Sequence, residues 1–186
     1  MIAVVCITGA SGVIYGIKLM EELQKKGVEV DLVISEQGKE IIGEETPYSI
    51  DDVLLKASKS YSNSDLFAPI ASGSFVFDMM AVVPCSLSTL AKIACGVGDD
   101  LITRCATVAL KERRKLLLSP RDMPLDTIAL ENMVKLSSCG VVIAPPIPGF
   151  YGKPRSLDDV IDFVVGKILD SLDVDNDIYG RFEGRS

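Results

Sequence analysis

Residues 7–16 read ITGASGVIYG, directly after the apolar run Ile2–Ile7, and this stretch decides the fold. An apolar strand that runs into glycines at 9 and 12 and then into helical spacing is the strand, loop and helix unit of a parallel α/β sheet. In the helical half, Val13, Ile14, Ile17, Leu19, Met20 and Leu23 recur with the helical period as far as Lys26. Gly27 then supplies a C-terminal cap. The glycine spacing, G-x-x-G-x-x-x-G, is neither the dinucleotide fingerprint nor the triphosphate loop. Taken alone, the loop either cradles a ligand with exposed amides or only turns the chain tightly.

The same alternation continues along the chain. Val28 to Ser35 alternates apolar and polar residues and predicts a strand, and a short helix follows through Glu44. Met79 to Cys85 predicts a buried strand, and Ser86 caps a helix that ends near Gly96. A helix from Leu101 to Arg113, a strand at Lys115–Ser119 and a helix at Asp126–Ser138 come next. The strand Val141–Ala144 is stopped by Pro145 and Pro146. Ser156 opens the last helix, with Asp159 three positions on in a capping-box arrangement. Residues 47–66, PYSIDDVLLKASKSYSNSDL, are polar and weakly periodic and read as a surface excursion. The expected architecture is a single three-layer, doubly wound α/β domain over residues 1–172, Rossmann- or flavodoxin-like with a parallel sheet. The tail 173–186 reads as a C-terminal arm rather than core.

Composition removes several function classes. A formal net charge of -7 over 186 residues disfavours a nucleic-acid-binding surface. No apolar run approaches the roughly 20 residues that span a bilayer, so no membrane association is expected. The N-terminus lacks a basic region and a cleavage site. The 5 cysteines are odd in number and form no C-x-x-C pair, which fits reduced thiols in the cytoplasm better than zinc or disulfides. Histidine is absent, which excludes Ser-His and Cys-His nucleophile pairs and most catalytic zinc sites. Proton transfer falls to Asp, Glu, Lys, Tyr or Cys.

In such sheets ligands bind beyond the C-terminal strand ends. The loops placed there are Thr8–Gly12, Ser35 onward, Cys85–Thr89, Ser119–Asp122 and Pro145–Tyr151. They are rich in Gly, Ser, Thr and Pro and suit a phosphorylated cofactor held by amides and hydroxyls at helix N-termini. In TRCATVALKERRK, the spacing of Arg104, Lys111 and Lys115 puts them on one helical face. Arg113, Arg114 and Lys115 read as a solvated face, whereas Arg121 follows a strand on the ligand side and suits an anionic substrate.

Five blocks carry a resemblance that covers nearly the whole chain: TGASGVIYG, APIASGSF, PCSLSTLAKIACG, LITRCATVALKERRKLLLSPRDMP and ENMVKLSSCGVVIAPPIPGFYGKP. In this order they resemble the UbiX-type flavin prenyltransferases. The resemblance implies a metal-independent enzyme that joins a dimethylallyl group, from dimethylallyl phosphate or diphosphate, to reduced FMN. Its product, prenylated FMN, serves a partner UbiD-type decarboxylase, and the family assembles as a homododecamer with sites between subunits.

By motif, the resemblance implies that Gly9, Ala10, Ser11, Ser35, Ser86 and Thr89 contact FMN, with Arg104 reaching it from a neighbouring subunit. It assigns Lys111, Arg121, Tyr151 and Lys167 to the prenyl phosphate, and Glu45, Ser72, Asp122 and Lys111 to catalysis. Arg181 and Phe182 match an Arg-aromatic pair that closes over the flavin. Three positions depart from the bacterial pattern: Asp122 replaces Glu, Lys167 replaces Arg and Leu66 replaces Trp, the last bearing on the shape of the prenyl pocket. The competing expectations are an FMN-dependent cysteine decarboxylase of the same fold group, which relies on a catalytic histidine, and a non-catalytic flavin carrier.

Overall fold

Parallel strands buried on both faces are predominantly apolar, as four of the six strands here are. β1 (Ile2–Ile7), β2 (Glu29–Ile34), β4 (Met79–Cys85) and β5 (Lys115–Pro120) are almost wholly buried in the computed structural model, which describes residues 1–182. β3 (Lys59–Ser62) and β6 (Val142–Ile143) are the edges, and the order is β3-β2-β1-β4-β5-β6 with every pair parallel. Alternation splits each strand between two cores. Ala3, Val5 and Ile7 face α1 (Val13–Lys25) and α7 (Leu157–Ser171), while Val4 and Cys6 face the opposite layer. That layer comprises α4 (Leu87–Ala94), α5 (Leu101–Lys111) and α6 (Thr127–Ser138). The expected three-layer doubly wound sheet is therefore the observed one. Among the described residues no helix is long and apolar enough to cross a membrane.

Residues 47–66 depart from expectation. They contain α3 (Ile50–Leu55), opened by a Ser49–Asp52 capping box that buries Val53, and then the edge strand β3. An edge strand with one paired side tolerates polar residues, so its composition resembles a loop. In β2, Asp31 is fully buried with its carboxylate 3.3 Å from the Tyr61 hydroxyl, so this strand has no solvated face at that position.

The basic run also folds differently. α5 stops at Lys111, Arg113 takes φ 55°, and Lys115 is already in β5, where it pairs with Asp173. Arg104 and Lys111 thus share a helix that Lys115 has left. Arg114 is no solvated residue: its guanidinium donates to the carbonyls of Phe75 (2.7 Å) and Gly73 (2.8 Å) and lies 4.3 Å over the Phe77 ring.

The tail is partly core. Val174 is buried with the α1/α7 cluster, and Asn176 donates to the Gly166 carbonyl at 3.2 Å. The segment is laid along α7 through Phe182, and the remainder of the expected arm, 183–186, lies outside the described residues.

α1 reaches the sheet through Gly16, where a Cβ would run into the Val83 carbonyl and stand 2.9 Å from Ile7 Cγ1. Gly16→Ala should therefore lower stability by about 1–3 kcal/mol, read as a fall in thermal midpoint. Gly43→Ala, in α2 (Glu36–Glu45) with open space around it, should instead raise stability by up to about 1 kcal/mol.

Candidate functional site

Chain order reverses between β1 and β4, and such a switch point leaves a crevice at the strand ends. Thr8, 1% exposed, ties the two ends together. Its hydroxyl donates to the Pro84 carbonyl at 2.8 Å and accepts from the Ser86 N–H at 2.8 Å. Ser86 is the N-cap of α4, accepting from Thr89 N–H (3.2 Å) and donating to the Thr89 hydroxyl (3.0 Å). Ser35 is the N-cap of α2, accepting from Gly38 N–H at 3.0 Å, while its own N–H donates to the Ile7 carbonyl at 3.0 Å.

The Thr8–Gly12 loop is set between these caps. A Cβ at Gly9 would stand 2.5 Å from Gln37 Cβ, so only glycine lets the loop pass the start of α2. Gly12 takes φ 93° as the N-cap of α1, with no side-chain cap. Its N–H donates at 2.8 Å to Glu45, the last residue of α2, which fixes that carboxylate at the positive end of α1. The Ser11 hydroxyl, beside it, is used in no hydrogen bond among the described residues.

Gly9, Ser35, Ser86 and Thr89 line one cleft of about 350 Å³, together with Gln37, Asn63, Ser88, Lys92 and Asp100. Lys92 is held by Asp99 at 2.9 Å and Asp100 at 3.6 Å, so anion binding here rests on amides and hydroxyls. Such a donor set fits a phosphorylated ligand. As individual candidates, sequence reasoning missed Gln37, Asn63, Ser88, Lys92 and Asp100 of this lining, and Thr8 beside it. Gln37, Ser88 and Thr8 stand beside residues it chose. Asn63, whose side chain and carbonyl accept from Ile102 and Leu101 N–H at 3.0 and 2.8 Å, was hidden in the polar stretch 47–66.

Arg121 joins this edge, its N–H donating to the Cys85 carbonyl at 3.2 Å. Burial raises the Tyr15 phenol above its ordinary value, and the nearby Arg121 guanidinium opposes part of that rise. Asp122 is exposed, with its carboxylate accepting from Met123 N–H at 2.9 Å. Cys85, beneath the cleft, is pushed up to about 12 by burial, and Cys105 likewise, so both are thiols and packing groups at neutral pH.

The other expected site residues lie elsewhere. Arg104, one turn into α5, donates from Nε to the Ala71 carbonyl at 3.4 Å, and Ser72 and Ser74 share a 2.8 Å hydrogen bond beyond it. A Cβ at Gly73 would stand 3.0 Å from Lys111 Nζ. Lys111 ends α5, and three residues separate it from β5, so it lies at the edge where the strands begin. A strand of this length separates it from the Thr8–Gly12 loop by roughly 20 Å. Tyr151 and Lys167 form a third group on the β6 flank. The Tyr151 ring meets Phe163 at 5.6 Å and Phe182 at 5.7 Å, and Lys167 follows Phe163 by one turn of α7. Arg104 N–H donates to the carbonyl of the cleft residue Asp100 at 2.9 Å, and no side-chain hydrogen bond or ion pair among the described residues joins the three groups.

Thr8→Val keeps the volume but strands the Ser86 N–H and removes the hydroxyl donated to Pro84. It should cost about 1–3 kcal/mol of stability in chemical denaturation, with Thr8→Ser recovering most of the loss.

The sequence profile of the flavoprotein family matches residues 2–169. A flavin prenyltransferase UbiX of Methanocaldococcus jannaschii is 50% identical over 179 residues, covering 96% of this chain and 97% of that one. The solved AnUbiX, in complex with FMN and dimethylallyl pyrophosphate, superposes with a TM-score of 0.98 at 44% identity, covering 100% and 98% of the two chains. A dodecameric FMN-dependent UbiX-like decarboxylase from Escherichia coli O157:H7 gives 0.97 at 45%, covering 99% and 100%. A peptidyl-cysteine decarboxylase, at 0.67 and 24%, shares the fold. Matched from end to end at this level, the chain belongs to the UbiX-type flavin prenyltransferases.

Proposed function

We propose that this chain joins the dimethylallyl group of dimethylallyl phosphate or diphosphate to reduced FMN, yielding prenylated FMN. The observation that carries this reading is the polar cleft at the switch point, in a chain 44% identical throughout to a protein solved with both substrates. Gly9, Ala10, Ser11, Ser35, Ser86 and Thr89 hold the flavin, and the free Ser11 hydroxyl is its most direct donor. A mononucleotide presents one phosphate, which explains a loop without the dinucleotide glycine pattern.

Breaking the allylic C–O bond sends its electron pair to the phosphate oxygen and leaves positive charge on the prenyl carbon. Lys111, Arg121, Tyr151 and Lys167 stabilise the phosphate, and preorganised donors of this kind are commonly the largest catalytic contribution. The electron-rich reduced flavin supplies the pair for the new bond and gives up a proton. In this reading Glu45, with one carboxylate oxygen fixed by Gly12 N–H, takes up protons and Ser72 relays them, while Asp122 protonates the departing phosphate. Water must be excluded, because it would quench the carbocation.

Ser72, Lys111, Tyr151 and Lys167 stand apart from the cleft of their own chain, so in this reading neighbouring copies bring them to it, with Arg104 reaching the flavin of a neighbouring copy in the same way. We place the sites between subunits of a homododecamer for that reason. We assign the product to a UbiD-type decarboxylase and the enzyme to the cytoplasm, where the free thiols stay reduced. The cysteine decarboxylase alternative needs a histidine that this chain lacks.

Protein incubated with reduced FMN and either prenyl donor should yield a five-carbon adduct of the flavin by mass spectrometry. Protein that binds FMN yet gives no adduct with either donor refutes the transferase. Glu45→Gln keeps an acceptor for Gly12 N–H, so FMN affinity should stay within about threefold while turnover falls by about 10²-fold or more. Loss of FMN affinity at unchanged turnover would contradict the role given to Glu45.

A further inference from the structure

Asp170, one turn after Lys167 on α7, is the most heavily engaged carboxylate among the described residues. Oδ1 accepts from Arg181 Nη2 at 2.9 Å and from Asn176 Nδ2 at 2.8 Å. Oδ2 accepts from the Tyr179 hydroxyl at 2.6 Å and from Arg181 Nη1 at 3.2 Å. Lys167 Nζ makes only a longer ion pair with the same Oδ2, at 3.7 Å and outside hydrogen-bonding range, with 54% of its side chain exposed. Partial burial pushes the Asp170 carboxyl up, but the hydrogen bonds from Arg181, Tyr179 and Asn176 outweigh it and hold the group below its ordinary value. The carboxylate is charged, and its acceptor positions are filled by donors other than Lys167.

The donors come from the tail. Arg181 also donates to the Asn176 carbonyl at 3.1 Å and lies 5.2 Å over the Tyr179 ring. The Tyr179 ring meets Phe163 at 5.3 Å, and Phe163 meets Tyr151. One carboxylate therefore seats the segment 176–182, stands beside Lys167 and reaches the Tyr151 ring through Tyr179 and Phe163, two of the four residues assigned to the prenyl phosphate being Lys167 and Tyr151.

We infer that Asp170 is a positioning residue for the transfer: by taking Arg181 as its close partner, it keeps the Lys167 ammonium only loosely paired and available for the phosphate of the prenyl donor. The inference rests on the reading of Lys167 as a phosphate ligand. Arg181 is bidentate, as a guanidinium fork permits, whereas Lys167 offers a point charge. Without Arg181, Asp170 keeps its charge and Lys167 is the cation nearest to it. The ammonium then closes on the carboxylate, and the phosphate must compete for it.

The test is steady-state kinetics on the assembled enzyme with saturating reduced FMN and varied dimethylallyl monophosphate. A partly exposed ion pair is worth about 1 kcal/mol, so Arg181→Met should raise the donor KM by about fivefold. Adding Asp170→Asn removes the competitor, and the double variant should return KM to within about twofold of the parent. Two purely structural lesions would add instead. A double variant with a KM equal to or above that of Arg181→Met overturns the inference. Lys167→Met separates the two layers. If it raises KM while the double variant fails to recover, Asp170 alone is misassigned; if it leaves KM unchanged, the phosphate reading of Lys167 falls and takes the inference with it. Should Arg181→Met fail to assemble, Arg181→Gln makes the same comparison.

Discussion

A parallel sheet wound outward in both directions from its middle cannot cover the ends of the two strands where the winding starts. That constraint, at β1 and β4, organises the molecule. The helices leaving β1 and β4 go to opposite faces, so the strand ends between them stay open and must be closed by loops that satisfy their own backbone groups. The Thr8 hydroxyl does this for the Pro84 carbonyl and the Ser86 N–H, and serines cap α2 and α4 on either side. The polar cleft follows from the topology, because whatever closes a switch point must be small and rich in donors.

Much of this was legible in the sequence because local chemistry and global fold agree there. The strand, glycine loop and helix at the start, and the caps at Ser35, Ser86 and Ser156, each carry their reason in the residue type. β3 was illegible because an edge strand with one paired side needs little apolar content. The end of α5 was missed because Arg113, rather than a glycine, takes the left-handed conformation, leaving no glycine to mark the stop. Arg114 read as solvated because sequence cannot show that two loop carbonyls and an aromatic face await its guanidinium.

The expected site residues reveal a different limit. Motif resemblance collects Ser11, Lys111 and Tyr151 as though they were neighbours, yet the chain distributes them over a strand-end cleft, the far end of α5 and the β6 flank. Spacing along a sequence says nothing of which copy of a chain completes a site. The distribution keeps the cations apart within a protein of net charge -7, where gathering Lys111, Arg121 and Lys167 without a ligand would be repulsive.

The Gly12–Glu45 hydrogen bond gives the cleft a direction. Three helices begin around it, and each would attract an anion by its exposed N–H groups. At α1 that place is taken by the Glu45 carboxylate, while α2 and α4 are capped by neutral serines, α2 with Glu36 in its first turn. In the proposed reading, a nucleotide phosphate is disfavoured at the α1 pole and favoured at the serine-capped pole of α4, which sets the head of the nucleotide against its ring.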